Sequence, residues 1–186
     1  MCSESRRAPN VSIQSVRVTS DKCPATMAFN PPHTSLDTRH PSPHSLPVSR
    51  RSPQIAAAIA PFQGQDLNAH YLAFFQCFNA QRFYQAHDVL EQLWLAQRHR
   101  PDGPFYKGLI QLAGAFVHLQ KDRLRPAASL FKLARSYLCG FPPIHQRLDV
   151  EAALALADQW LGQLESGAFK TNPLRTNPAP QLCLLG

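Results

Sequence analysis

The 186 residues contain no Cys-x-x-Cys pair, and residues 1–60 contain no glycine. Nor is there a run of about 18 apolar residues, the length a membrane-spanning helix needs. The one early apolar stretch, Ile55 to Ala60, is too short and too late for a secretory signal. Five cysteines, Cys2, Cys23, Cys77, Cys139 and Cys183, are odd in number and far apart. That spacing argues against a zinc ribbon and against a disulfide framework, and it fits a reducing compartment. Gly-rich phosphate loops and serine nucleophile elbows are absent as well, which removes the commonest nucleotide and acyl-transfer signatures. Charge of one sign is also scarce. The formal net charge is +7, yet residues 1–60 hold seven basic against three acidic residues, and residues 61–186 twelve against nine. A modest, scattered excess is a weak footprint for nucleic acid, and solvated surface charge accounts for it.

What is present divides the chain. Residues 1–60 carry eight prolines and ten serines without apolar periodicity. Such composition cannot bury enough surface to offset an ordering cost of about 1–2 kcal/mol per residue. This segment is expected to be a disordered extension, a transit peptide, or the product of a mis-assigned start upstream of Met27. Residues 61–170 are expected to form the helical domain, and 171–186 a frayed tail.

Helical periodicity begins after Pro61. Asp66 is expected to cap a first helix, Leu67 to Asn79. A second runs from Arg82 to His99, and Pro101, Gly103 and Pro104 break the chain after it. A third covers Phe105 to Gln120. Pro126 suits the first turn of a fourth, with Gly140 expected as its left-handed terminator and Pro142 and Pro143 beyond. Asp149 is expected to cap a fifth helix, ending near Glu165 and Gly167. No alternating strand pattern competes, so the expected fold is all-α: a small antiparallel bundle of about five helices.

Two of these helices carry polar groups on otherwise apolar faces. Phe83, His87, Leu90 and Trp94 share one stripe of the second, and Glu91 lies one turn after His87. In the third, apolar nearly all round, Gln111 and His118 lie two turns apart on one face, while Gly108 and Gly114 permit close helix approach. Meeting across the interface would satisfy all four. The candidate polar site is therefore His87, Glu91, Gln111 and His118, supported by Asn79, Phe83, Tyr84 and Trp94. Three readings stay open: a buried hydrogen-bonded network, a small polar ligand pocket, or a divalent metal held by His87, Glu91 and His118. The spacing is neither His-Glu-x-x-His nor Glu-x-x-His. Access separates the readings: a structural quartet is sealed by Phe83, Leu90, Trp94 and Phe116, whereas a functional one lines an open pocket.

The order Phe78-Asn79, Tyr84, Ala86-His87, Leu90-Glu91, Trp94, then Gly108-Leu109-Ile110-Gln111, Ala113 and His118 resembles the domain of unknown function 309 family. The firm match covers this stretch and extends loosely to Leu138. Where the family usually carries Gly-Asn before the fourth helix, this chain has Asp122-Arg123-Leu124-Arg125-Pro126. The resemblance implies a small soluble helical bundle and no established activity. The expected function is a scaffold or binding module, open to homodimer formation through an exposed apolar stripe. The alternatives are a metal-assisted or acid–base enzyme using His87, Glu91 and His118, and a weak nucleic-acid binder using Arg123, Arg125, Lys132 and Arg135. The expected compartment is cytoplasmic, or plastid if residues 1–60 are a transit peptide.

Overall fold

Proline and alanine open the first described helix. In the computed structural model, which describes residues 52–186, Pro53 stands in the first turn of helix α1 (Ser52–Ile59). There its missing N–H costs nothing, and the alanines that follow are the best helix formers. Ile55 anchors α1 against Ala73 and Val89. Helical order thus begins inside the stretch expected to be extension. The remaining extension, with its transit-peptide and alternative-start readings, lies outside the described residues.

Helices α2 (Ala69–Asn79), α3 (Phe83–Gln97), α4 (Gly103–Gln120), α5 (Leu124–Leu138) and α6 (Val150–Ser166) form the all-α bundle. Each packs on its neighbour in sequence, through short connections at 80–82, 98–102 and 121–123 that make those neighbours antiparallel. The α2 cap is Asn68, whose side chain accepts the His70 N–H at 2.9 Å. The expected cap, Asp66, pairs with Arg147 instead. Asp149 does cap α6, accepting from the Ala152 N–H at 2.8 Å. Gly140 follows α5 but is not left-handed. The helix ends instead through Cys139 in right-handed geometry, with the Phe141 N–H donating to the Leu138 carbonyl.

Phe116 of α4 is the centre of the core. Its ring lies 5.0 Å from that of Phe83, 5.5 Å from Phe78, 5.2 Å from Phe131 and 5.0 Å from Trp160. Four helices thus meet on one side chain. Gly108 sets the α4–α5 spacing: a Cβ there would stand 2.8 Å from Leu138 Cγ and 3.1 Å from Tyr137 Cβ.

A small hairpin was not legible in the sequence. Strands β1 (Ile144–His145) and β2 (Leu148–Asp149) pair antiparallel around Gln146 and Arg147, both with positive φ. That is the geometry of a two-residue hairpin turn, costly for residues other than glycine. Side chains hold it in place. Asp102 contacts His145 Nε2 at 2.8 Å and accepts from Gln146 Nε2 at 2.9 Å. The Tyr106 hydroxyl donates to Gln146 Oε1 at 3.0 Å, and Tyr71 to the Gln146 carbonyl at 3.2 Å.

The C-terminal residues are docked where a frayed tail was expected. Asn79 Nδ2 donates to the Leu182 carbonyl at 2.8 Å, and the Leu182 N–H returns to Asn79 Oδ1 at 2.9 Å. Leu182 is buried, and Leu184 bridges to Leu148. Asn172 is buried too and donates to the Leu119 carbonyl at 2.7 Å. Tertiary partners supply this order, and local periodicity carries no trace of them. Among the described residues, no helix is long and apolar enough to cross a membrane.

Candidate functional site

The polar stripes of α3 and α4 face each other, as their spacing demands. Tyr84 and His87 come from α3; Gln111, Gly114, Val117 and His118 come from α4; Leu130 of α5 closes one side. Together they line a cavity of about 240 Å³. Tyr84 is 49% exposed at its edge, while His87, Gln111 and His118 are half-buried. Gly114 keeps the space open. A Cβ on it would stand 3.2 Å from Leu130 Cδ1 and 3.9 Å from His87 Cδ2.

His87 is held from its own helix. Its Nδ1 lies 3.2 Å from Oδ1 of the buried Asp88. Glu91 follows one turn later, and the donor atoms of His87, Asp88 and Glu91 all fall within 4.8 Å of one another. Imidazole plus two carboxylates is a donor set used for zinc and iron, so these three residues could hold a divalent cation. His118 stands outside that group. Its Nδ1 is buried and has no hydrogen-bond partner. Burial pushes the His118 pKa below the ordinary histidine value, and the positive charges of Arg123 and Lys121 push it the same way. The ring is therefore neutral near pH 7, with one N–H and one lone pair.

The fold brings together His87, Gln111, His118 and Tyr84. Glu91 sits beside His87 and Asp88 but does not line the cavity. Among the described residues, no hydrogen bond joins His87, Glu91, Gln111 and His118 to one another. The buried network expected of them does not form: all four residues are half-buried, and the buried His118 Nδ1 has no partner. Phe83 lies beneath, stacked on Phe116. Trp94 is half-buried farther along α3, with Lys107 Nζ 4.1 Å from its ring centroid. Asn79 belongs to the tail clasp and not to this cavity.

Sequence reasoning missed Asp88 and Leu130. Adjacent helical positions point to different sides, so the rule that pairs His87 with Glu91 passes over Asp88. An aspartate next to a histidine was the available signal.

The family model described as domain of unknown function (DUF309) matches residues 71–130. That span contains every residue lining the cavity. Over residues 71–130 the chain is similar to the DUF309 family. Within the DUF309 segment lie most of α2, all of α3 and α4 and the first turns of α5, so the family match and the cavity coincide in the fold. No curated protein and no solved structure matches the chain significantly.

Proposed function

We propose that this DUF309-like domain is a binding module that takes a small polar molecule into the α3–α4 cavity. The observation that supports it is unspent hydrogen-bonding capacity: His87, Gln111 and His118 face one space without bonding to one another, and His118 Nδ1 has no partner. A bundle that needed these groups only for register would pair them, since an orphaned polar atom costs about 1–3 kcal/mol. His87 engages Asp88 through Nδ1, which leaves Nε2 for a ligand. The volume of about 240 Å³ lies just below the roughly 300–1,000 Å³ typical of drug-sized ligands. The ligand class is accordingly small, with both donors and acceptors.

The test is equilibrium urea unfolding of the full chain and its His87→Ala, Gln111→Ala and His118→Ala variants. A binding site predicts stabilities within about 0.5 kcal/mol of wild type, or higher. A structural network predicts losses of about 1–3 kcal/mol in each. The donor geometry of His87, Asp88 and Glu91 favours one second reading, metal-assisted or acid–base chemistry at the rim. There, zinc or manganese would raise the thermal midpoint of wild type but not of Asp88→Asn or Glu91→Gln.

A further inference from the structure

On the far side of the α4–α5 turn lies a larger cleft, about 910 Å³, between the start of α5 and the strap that follows α6. Four basic side chains line it: Arg123 and Arg125 from the α5 end, Lys170 and Arg175 from the strap. The sole acidic residue among its lining is Asp122, and that carboxylate is already taken. Arg175 donates to it from Nε at 3.1 Å and from its terminal nitrogen at 2.5 Å, and Asn172 Nδ2 donates at 2.6 Å. The Asp122–Arg175 pair frames the cleft and cancels its own charge. Arg123, Arg125 and Lys170 remain, with no carboxylate partner among the described residues. Three uncompensated cations converge on one concavity.

These cations are not an undirected surface charge. The Arg125 guanidinium lies 4.8 Å from the Phe169 ring centroid, an arrangement that restricts the side chain while leaving its N–H groups available. Lys132 and Arg135, the next cations along α5, are spent on α6: Lys132 pairs with Glu165 at 2.8 Å and Arg135 with Asp158 at 2.5 Å. Along α5, therefore, the unpaired charge ends where the cleft ends and does not continue as a stripe. A polyanion tracking a backbone needs such a stripe; a compact anion does not. The α5 start adds to the same field. It has no side-chain cap and no acidic residue in its first turn, and Leu124 and Arg125 line the cleft there.

We propose that this cleft binds a small phosphorylated molecule, its phosphate held by Arg123, Arg125 and Lys170. Guanidinium and ammonium groups are the usual phosphate partners, and charge-assisted bonds to them are the strong ones. The volume exceeds what a phosphate alone requires and falls within the roughly 300–1,000 Å³ of small-molecule sites, so it accommodates the organic portion as well. The site is separate from the α3–α4 cavity, and neither reading depends on the other.

Inorganic pyrophosphate titrated into the full chain, at constant ionic strength held by chloride, tests this. Calorimetry should show saturable binding at one site, and amide shifts should centre on Leu124, Arg125 and Lys170. Arg123→Gln and Lys170→Gln, both exposed positions, should each weaken binding by about tenfold with an unchanged thermal midpoint. Lys132→Gln should leave affinity unchanged. Absence of saturable binding, or binding indifferent to both cleft substitutions, overturns the proposal. So does a short single-stranded oligonucleotide that binds more tightly than pyrophosphate, with a steep salt dependence that also requires Lys132.

Discussion

His118 is a residue whose protonation the fold opposes. Burial and the charges of Arg123 and Lys121 lower its pKa below 6.5. Above that value the ring is neutral in both folded and unfolded chains, and the full stability is present. As pH falls below 6.5 the unfolded chain takes up a proton first, so stability is lost until the folded-state pKa is passed. Wild type should lose urea resistance between pH 7 and pH 5 relative to His118→Gln, and the His118 ring protons should titrate below the ordinary histidine range. A midpoint at or above 6.5 would remove the electrostatic account of this ring. The same scale shows what pattern reading could and could not find. His87, Gln111 and His118 were legible because a polar group on an apolar helical face is conspicuous. Asp88 was not, because its proximity to His87 depends on the side-chain conformations both adopt.

At the scale of the element, α4 illustrates how small residues act. Alanine normally improves a helix by about 0.5–1 kcal/mol over glycine. At Gly108 the added Cβ meets Leu138 Cγ at 2.8 Å and Tyr137 Cβ at 3.1 Å, near the rigid base of each side chain. Overpacking of this kind costs about 1–3 kcal/mol, so Gly108→Ala should be destabilising overall. Gly162 on α6 has nothing within 4 Å of its Cβ position, and Gly162→Ala should stabilise by about 0.5–1 kcal/mol. Denaturation midpoints moving in the same direction for both variants would contradict this reading of the α4–α5 contact. Helix boundaries were legible where a side chain could reach its own backbone, as Asp149 does. At α2 the cap is Asn68 where Asp66 was expected, and Asp66 pairs with the distant Arg147. Before α5, Asp122 itself takes the left-handed conformation, with φ 54°, a region that aspartate tolerates better than most residues.

At the scale of the whole molecule, the C-terminal segment is fastened by charge at one end and by amide pairing at the other. Hydrogen bonds from Arg175 first, then Asn172, hold the Asp122 carboxyl down to about 2, from 3.8. Its folded pKa is depressed, so its contribution is present above 3.8 and is lost as pH falls through about 2. Hydrogen exchange at Leu174 and Thr176 should accelerate in that acid window. At neutral pH Asp122→Asn should speed tryptic cleavage after Arg175, while Asp158→Asn, which touches only the α5–α6 pair, should not. Equal cleavage in the two variants would show that the strap is held by Asn172 and Leu182 alone. The amino-acid sequence by itself determined the helices of the bundle and the two polar stripes, because both rest on local periodicity and on side chains reaching a turn away. It also carried the family resemblance through an ordered set of unlike residues. Only the tertiary structure decided that the stripes bound an open cavity, that Asp88 is the partner of His87, that four cations share one cleft, and that the tail is docked. The His87–Asp88 contact turns on side-chain conformation; the others depend on groups far apart in the chain, whose meeting local spacing does not display.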